Sequence, residues 1–293
     1  MKPPQDHAPE GPRGICCELA ACASVRLPLE SIQHVRRNPE PLLGFELATS
    51  ALKHLDVQTV AGLAAVAQAA RDFDMPLASF RDWGVLAAPQ FLGQSTVVAA
   101  LIRYREEGAW GVSPHVIPHH SLHSQSGTIS QVLKIHGPNL GIGGGREGTG
   151  EALLAAAAWL GRRRVPGVWV VATTLDPLTE LGEEGEIAPG TECVGLALAL
   201  TPGRVDGPGT RLHMAPGTGE CGSRLGLLQL ATAMYQACSA RGSGALVISS
   251  GAPRIEIQWH RPMRPLPAAG LLLRATEIEA DAARMSTGAE AER

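Results

Sequence analysis

Aromatic and charged residues are scarce in this sequence, at 4% and 18% of its 293 residues. Lysine occurs only at Lys2, Lys53 and Lys134, and the formal net charge is −3. A protein that binds nucleic acid needs a basic face that neutralises phosphates. We therefore expect no nucleic-acid partner.

Long hydrophobic runs are also missing. The longest, Ala152–Leu160 and Val194–Leu200, are far shorter than the roughly 20 residues that span a bilayer. Residues 1–13 are polar and rich in proline, unlike a secretory leader. We therefore expect a cytoplasmic protein without a membrane span.

Paired cysteines are absent as well, because the six cysteines form no CxxC motif. This argues against a zinc ribbon and against a thiol-redox motif. We expect the cysteines to be reduced, small core residues. There is also no Walker A lysine and no GxSxG nucleophile elbow.

Apolar residues make up 44% of the chain, which is enough to bury a core. At about 150 residues per domain, the length allows one large domain or two fused halves. Short apolar segments alternate with segments of helical spacing, which predicts an α/β fold with helices on both faces of a sheet. We expect one domain over residues 15–275, with flexible ends at 1–14 and 276–293.

Three local predictions follow from the same patterns. The alanine-rich helix Thr149–Leu160 is apolar on nearly every side, which predicts a buried helical layer between two sheets. A helix over Thr96–Glu107 has Thr96 as its expected N-cap. The segments Arg36–Gly44 and Gly203–Glu220, rich in proline or glycine, are expected to be loops.

The glycines from Gly143 to Gly148 match the pattern GxGxxG between a short strand and a helix. In a dinucleotide site these glycines let a pyrophosphate approach the helix N-terminus. Here the strand is too short, no acidic residue follows at the expected offset, and Glu147 would place a negative charge at the anion site. We favour a tight strand-to-helix turn.

Four histidines cluster in one segment, at His115, His119, His120 and His123. His119 and His123 would share a helix face and could bind a metal ion. However, Pro118 interrupts the cluster and no carboxylate lies nearby in sequence. We interpret these histidines as packed or interface residues and expect no metal.

Cys221 precedes a helix expected to begin near Ser223. A thiol at a helix N-terminus can have a lowered pKa and act as a nucleophile, here with a base such as His213. The alternative is a small residue in a glycine-rich turn.

The segment from Ser113 to Asn139 contains Gly127-Thr-Ile-Ser130 and Gly137-Pro-Asn139. With the small-residue helix that follows, it resembles the β-ketoacyl synthases, and among them the short, divergent ketosynthase-like proteins of aryl-polyene-type gene clusters. The resemblance implies a thiolase-like fold, a five-layer αβαβα sandwich of two pseudo-repeated halves. The halves would span about residues 15–175 and 190–262, the second being shortened.

The same resemblance places Arg146 at the position of the family's nucleophilic cysteine. Pro216 and Ser223 stand where the family has its two catalytic histidines. A guanidinium is always protonated and has no lone pair to offer, so it cannot act as a nucleophile. The resemblance therefore implies no catalytic residue, and we expect no cofactor.

For such proteins the family offers the role of a chain-length-factor-type subunit. That subunit pairs with an active ketosynthase in a type II fatty-acid or polyketide system and replaces half of the ketosynthase dimer. An acyl carrier protein would be the second partner, in contact with Arg162–Arg164. The resemblance implies that the following residues face the ketosynthase: Ser113, His115, His119, His120, His123, Gln125, Asn139, Gly141 and Gly143.

Two other functions remain open at this point. One is an acyl-transfer or hydrolytic enzyme that uses a thiol such as Cys221. The other is a stand-alone acyl-binding homodimer.

Overall fold

The computed structural model of the protein describes residues 14–44, 52–177, 182, 186–203, 209–215, 226–239, 243–249 and 254–259. The strands of this part are β1 (Ile15–Pro28), β2 (Gly84–Pro89), β3 (Asn139–Gly141), β4 (Val168–Asp176), β5 (Glu192–Pro202), β6 (Thr210–Ala215), β7 (Gly244–Ser249) and β8 (Arg254–Trp259). They form one sheet in the order β3-β2-β4-β5-β1-β6-β8-β7.

The α-helices of the same part lie between these strands along the chain. They are α1 (Ile32–Arg37), α2 (Glu40–Leu43), α3 (Val57–Asp72), α4 (Gln94–Glu107), α5 (Val116–His120), α6 (Leu122–Val132), α7 (Gly148–Gly161) and α8 (Leu227–Ser239). The alternation of strands and helices confirms the predicted α/β class.

Strand directions decide where a site can form. Strand β2 pairs in parallel with β3 on one side and with β4 on the other, and Ala87 lies opposite Gly141 and Val171. Strand β5 is antiparallel to both β4 and β1. The carboxyl ends of β2, β3 and β4 therefore meet at one edge of the sheet, where open α/β sheets usually bind ligands.

The central strands are buried on both faces. In β4, Trp169 and Val171 join the core beneath α3, whereas Val170 and Ala172 join the core beneath α7 and α8. Successive side chains of a strand point to opposite faces, so a strand covered on both sides reads as one continuous apolar run. This explains why these strands could be recognised from sequence.

Helix α3 lies very close to the sheet because it presents small residues. Asp56 is its N-cap, and the carboxylate accepts a hydrogen bond of 2.8 Å from the backbone N–H of Gln58. A Cβ atom added to Gly195 of β5 would lie 2.6 Å from the carbonyl oxygen of Ala61. The contact between α3 and β5 therefore requires glycine.

Several segments differ from the sequence predictions. Helices α1 and α2 occupy most of Arg36–Gly44, which was expected to be a loop. Strand β6 lies within the expected loop Gly203–Glu220, because it pairs with both β1 and β8 despite its flanking glycines and prolines. Helix α4 begins at Gln94, and its N-cap is Gly93 in the left-handed region (φ 66°) rather than Thr96.

The described residues provide three of the five predicted layers: α3 with α6, the sheet, and α7 with α8. Strand β6 pairs with the start of β1, so β6, β8 and β7 continue this sheet rather than forming a second one. Helix α7 accordingly has an exposed side, where Leu154 is 41% exposed. Within this part it is covered on one face only. The ends predicted to be flexible lie outside the described residues, apart from Gly14.

Among the described helices, none has both the length and the apolar character needed to cross a membrane.

The close contact of α3 gives a direct test. Gly195→Ala should destabilise the fold by about 1–3 kcal/mol, because the added methyl group forces α3 away from β5. Urea unfolding followed by circular dichroism measures this.

The matched control is Gly150→Ala in α7, where an added Cβ meets no atom within 4 Å. This change should be neutral or should stabilise the protein by up to about 1 kcal/mol, since alanine favours helix. Equal effects of the two substitutions would contradict the packing described for α3.

Candidate functional site

The glycine-rich segment before α7 makes a tight turn from strand to helix. Gly143 and Gly144 have φ values of 74° and 105°, which favour glycine. A Cβ atom on Gly143 would lie 2.6 Å from the Cα atom of Gly148. The structure thus has the strand-to-helix turn that we favoured over a dinucleotide motif.

Arg146 lies in this turn and is exposed. Its backbone carbonyl accepts a hydrogen bond of 3.2 Å from Nε2 of Gln90, the residue that follows β2. The turn is therefore attached to the carboxyl end of a neighbouring strand.

Arg146 borders an open cavity of about 440 Å³. The other lining residues come from the ends of β2 and β4 and from the start of α8: Gln90, Thr174, Leu175, Asp176, Gly226, Leu227, Leu228 and Gln229. Arg26 engages Asp176 at 2.7 Å and Glu192 at 3.0 Å. No carboxylate of the described residues forms such a pair with Arg146, so the cavity presents a permanent positive charge.

Buried polar side chains lie next to this cavity. Gln58 donates from Nε2 to the carbonyl oxygen of Gln90 at 2.8 Å, and its Oε1 accepts from the hydroxyl of Thr173 at 2.9 Å. Gln125 donates from Nε2 to the carbonyl of Gln58 at 2.9 Å and to the Thr173 hydroxyl at 3.2 Å. Thr174 donates to Oε1 of Gln90 at 2.7 Å.

These five side chains are all at least 94% buried. They link the start of α3, the start of α6 and the carboxyl ends of β2 and β4. Because each bond fixes a side chain of another element, the network holds the turn that carries Arg146 in one place. None of the five is a nucleophile activated by a base.

Three of the thiols that the structure describes, those of Cys16, Cys17 and Cys193, have a raised pKa. Burial raises the pKa of Cys17 to about 12 and also raises the pKa of the fully buried Cys193. Since the thiolate is the nucleophilic form, these cysteines are inert core residues. Cys221, Pro216 and Ser223 lie outside the described residues. His213, the base considered for Cys221, lies on β6 opposite Cys16 of β1.

The histidines form a cluster with a residue that the sequence did not suggest. The ring of His54 stacks on His115, with centroids 4.9 Å apart and planes 6° apart, and His119 lies within 6 Å of both rings. Nδ1 of His120 contacts Oδ2 of Asp56 at 3.2 Å.

His54 and Asp56 are about sixty positions away from the other histidines in sequence, so no spacing pattern could have linked them. His123 lies apart from the stack, with Nδ1 3.4 Å from the hydroxyl of Ser126. Within the described part of the chain, no group of three or more histidine, cysteine or carboxylate side chains could hold a metal ion.

Protonation of His119 is unfavourable. Partial burial lowers the pKa of His119, and repulsion by His54, His115 and His120 lowers it further. The uncharged form of His119 is therefore favoured at neutral pH.

The residues predicted to face a partner fall into three groups. Ser113, His115, His123 and Gly143 are exposed, and His119, His120, Asn139 and Gly141 are half-buried. Gln125 is fully buried in the polar network. Its assignment to a partner surface is wrong, because the side chain has no exposed area and its amide donates to Gln58 and Thr173.

Next to these residues lies a large exposed apolar surface, which we call the apolar face. Helix α4 has no buried residue. Trp110 is 99%, Leu101 63% and Tyr104 57% exposed. The face also includes Phe91, Val97, Leu122 and Leu140.

Backbone contacts bring part of the apolar face next to β3. The N–H of Phe91 donates to the carbonyl of Gly144 at 2.8 Å. A Cβ atom on Gly141 would collide with the backbone of Leu122. Phe91 and Leu122 therefore lie beside β3 and the turn that follows it.

The polar network predicts a stability effect. Thr173→Val removes the hydroxyl that Gln58 and Gln125 both use, while it keeps the shape of the side chain. Two buried amides then lose a partner, which should cost about 1–3 kcal/mol in urea unfolding. Thr232→Val, at a position whose hydroxyl bonds only to its own helix at Leu228, is the control and should change stability far less. The network account fails if the two variants unfold alike.

The histidine cluster predicts a pH effect. Because the pKa of His119 is lower in the folded protein, the unfolded chain takes up a proton first as the pH falls below about 6.5. Stability should therefore decline from about pH 6.5 down to the lowered pKa. In His119→Gln, the difference in unfolding free energy between about pH 8 and about pH 5.5 should shrink. An unchanged pH dependence in His119→Gln would refute the effect.

No protein-family model and no curated protein sequence matches the chain. Solved structures do match. One is the ketosynthase ApeO in complex with its chain length factor ApeC from Xenorhabdus doucetiae. The identity is 12% and the TM-score 0.52, over 82% of this chain and 99% of that one.

Two further structures show a weaker likeness. The ishigamide ketosynthase/chain length factor is 16% identical, with a TM-score of 0.46, over 76% of this chain and 71% of that one. In the complex AntDE:AntF, a type II polyketide synthase acyl-carrier protein with its ketosynthase, the identity is 14% and the TM-score 0.48. The match covers 64% of this chain, and the chain spans only 63% of the length of that one.

At such identities a likeness concerns the fold. Three findings agree with the resemblance seen in the sequence. They are the sheet with helices on both faces, the glycine turn after β3, and the match over almost the whole of one chain of the ketosynthase/chain-length-factor complex. The protein therefore has the thiolase-like fold of the β-ketoacyl synthases.

Proposed function

We propose that this protein is a non-catalytic, chain-length-factor-type subunit that pairs with an active β-ketoacyl synthase in type II fatty-acid or polyketide biosynthesis. A pathway of the aryl-polyene type is the narrower form of this proposal. The observation that carries it is the apolar face beside the edge strand β3.

Arg146 is the reason to expect no activity from the isolated chain. In the register of the sequence resemblance, this residue replaces the cysteine that would hold the acyl chain as a thioester. A guanidinium cannot form that bond. The polar network beside it consists of amides and hydroxyls, which fix the turn but supply no nucleophile.

The exposed apolar side chains of α4 are the reason to expect a partner. Val97 and Leu101 are four residues apart, and Leu101 and Tyr104 are three apart, so they share one side of α4. Together with Trp110 they form a group of exposed apolar side chains, and such groups mark interaction sites more often than single exposed residues do. Tyrosine and tryptophan are also the residues that most often dominate binding energy at protein interfaces.

The edge of the sheet supports the same surface. Among the described strands, β3 pairs with β2 alone, and Leu140 is 47% exposed. An open strand edge with an apolar side chain invites pairing with another chain. A ketosynthase that covered β3 and α4 together would bury both the edge and the apolar face.

An acyl carrier protein is the second proposed partner. Arg162, Arg163 and Arg164 follow α7 and are all exposed. They offer three adjacent cations to a partner of opposite charge.

Co-expression with an active ketosynthase from the same gene cluster tests the proposal. The expected result is a stable 1:1 complex that elongates acyl-carrier substrates, whereas neither subunit does so alone. A strictly homodimeric protein that ignores the ketosynthase would favour the acyl-binding homodimer instead. Turnover by this chain alone that is abolished by thiol alkylation would favour an enzyme that uses a cysteine.

The apolar face predicts a selective loss of assembly. Leu101→Asp or Trp110→Asp places a charge on the face and should weaken association with the ketosynthase at least tenfold, because the desolvated charge would have no partner. Leu154→Asp, on the exposed side of α7, is the control and should bind as the unmodified chain does. Binding is measured by analytical ultracentrifugation, and equal binding by all three variants would exclude this face as the interface.

A further inference from the structure

A second concave surface lies at the opposite end of the parallel strands from Arg146. It is a depression of about 460 Å³ between the segment that leads into β2 and the segment that leads from α6 to β3. Its lining consists of Leu77, Ala78, Arg81, Val132, Leu133, Lys134 and His136. Because it lies at the amino ends of β2 and β3, it is separate from the cavity beside Arg146.

The lining of this depression has an apolar part and a basic part. Leucine, valine and alanine form its apolar part, and the remaining three residues are Arg81, Lys134 and His136. No acidic side chain is among the described residues that line it.

The basic residues lie on a fixed backbone. The N–H of His136 donates to the carbonyl of Arg81 at 2.7 Å, which joins the two segments that form the walls. Beneath Arg81, Phe80 and Trp83 pack edge to face with their ring centroids 5.2 Å apart. The backbone that carries these residues is thus held in place before any ligand arrives.

The apolar part continues beyond this depression. Leu77 also lines a neighbouring depression of about 490 Å³, whose lining includes the apolar Ala67, Ala70, Met75 and Pro76 and the charged Arg71 and Asp74. The two depressions meet at Leu77, and we call them together the trough.

We propose that this trough binds an anionic amphiphile, which is a single carboxylate or phosphate head on an alkyl chain. The head would lie among Arg81, Lys134 and His136, and the chain would lie across Leu77 along the apolar residues of the second depression. Guanidinium and ammonium groups bind carboxylate and phosphate oxygens by charge-assisted hydrogen bonds. The proposal goes beyond the proposed function, since it concerns neither the apolar face nor the cavity at Arg146.

Calorimetric titration of the isolated chain tests this site without a ketosynthase, so its failure would leave the proposed pairing untouched. The probes are monomeric dodecanoate, dodecyl maltoside as a neutral head on the same chain, and acetate as a head without a chain. The expected result is 1:1 binding of dodecanoate, with at least tenfold weaker binding of the other two.

The double variant Arg81→Gln/Lys134→Gln should bind dodecanoate at least tenfold more weakly. Its matched control, Lys53→Gln/Arg105→Gln, removes two exposed charges elsewhere and should bind as the unmodified chain does. If dodecanoate binds the apolar face instead, the first variant will bind it as well as the unmodified chain does, and that result would overturn the proposal. Equal affinity for the maltoside would also overturn it, and so would binding to vesicles of anionic phospholipid without binding of free dodecanoate.

Discussion

The packing of helix α3 on the sheet is the contact on which the other features depend. Helix and strand approach so closely that Gly195 has no room for a side chain next to the backbone of Ala61. This position brings Gln58, in the first turn of α3, within hydrogen-bond distance of Thr173 at the end of β4. The core that holds the fold together and the polar network beside the cavity thus share one helix.

The polar network accounts for the position of the turn beside the cavity. Its buried amides and hydroxyls bond to one another, since an unpaired polar group in the core is costly. Gln90 connects the network to the turn through the carbonyl of Arg146. The turn is thereby held at a strand end, with the exposed side chain of Arg146 beside the cavity. A cation in this place is suited to holding an anion.

Sequence reasoning recovered the features that depend on local pattern. The strands buried on both faces read as continuous apolar runs, and the glycine turn was recognised by its spacing. It missed strand β6, whose pairing with β1 and β8 outweighs its flanking glycines and prolines. It also missed His54, Asp56 and the burial of Gln125, because these depend on contacts between residues about sixty or more positions apart. The periodicity of a sequence does not reveal contacts between residues so far apart.

The central claim is that an active ketosynthase covers both the apolar face and the edge of β3. Hydrogen–deuterium exchange with and without the ketosynthase tests this claim most directly. The account predicts that the ketosynthase slows exchange at residues 94–111 and 139–141 and leaves β7, at the opposite edge of the sheet, unchanged. A complex that leaves residues 94–111 and 139–141 unprotected would contradict the account.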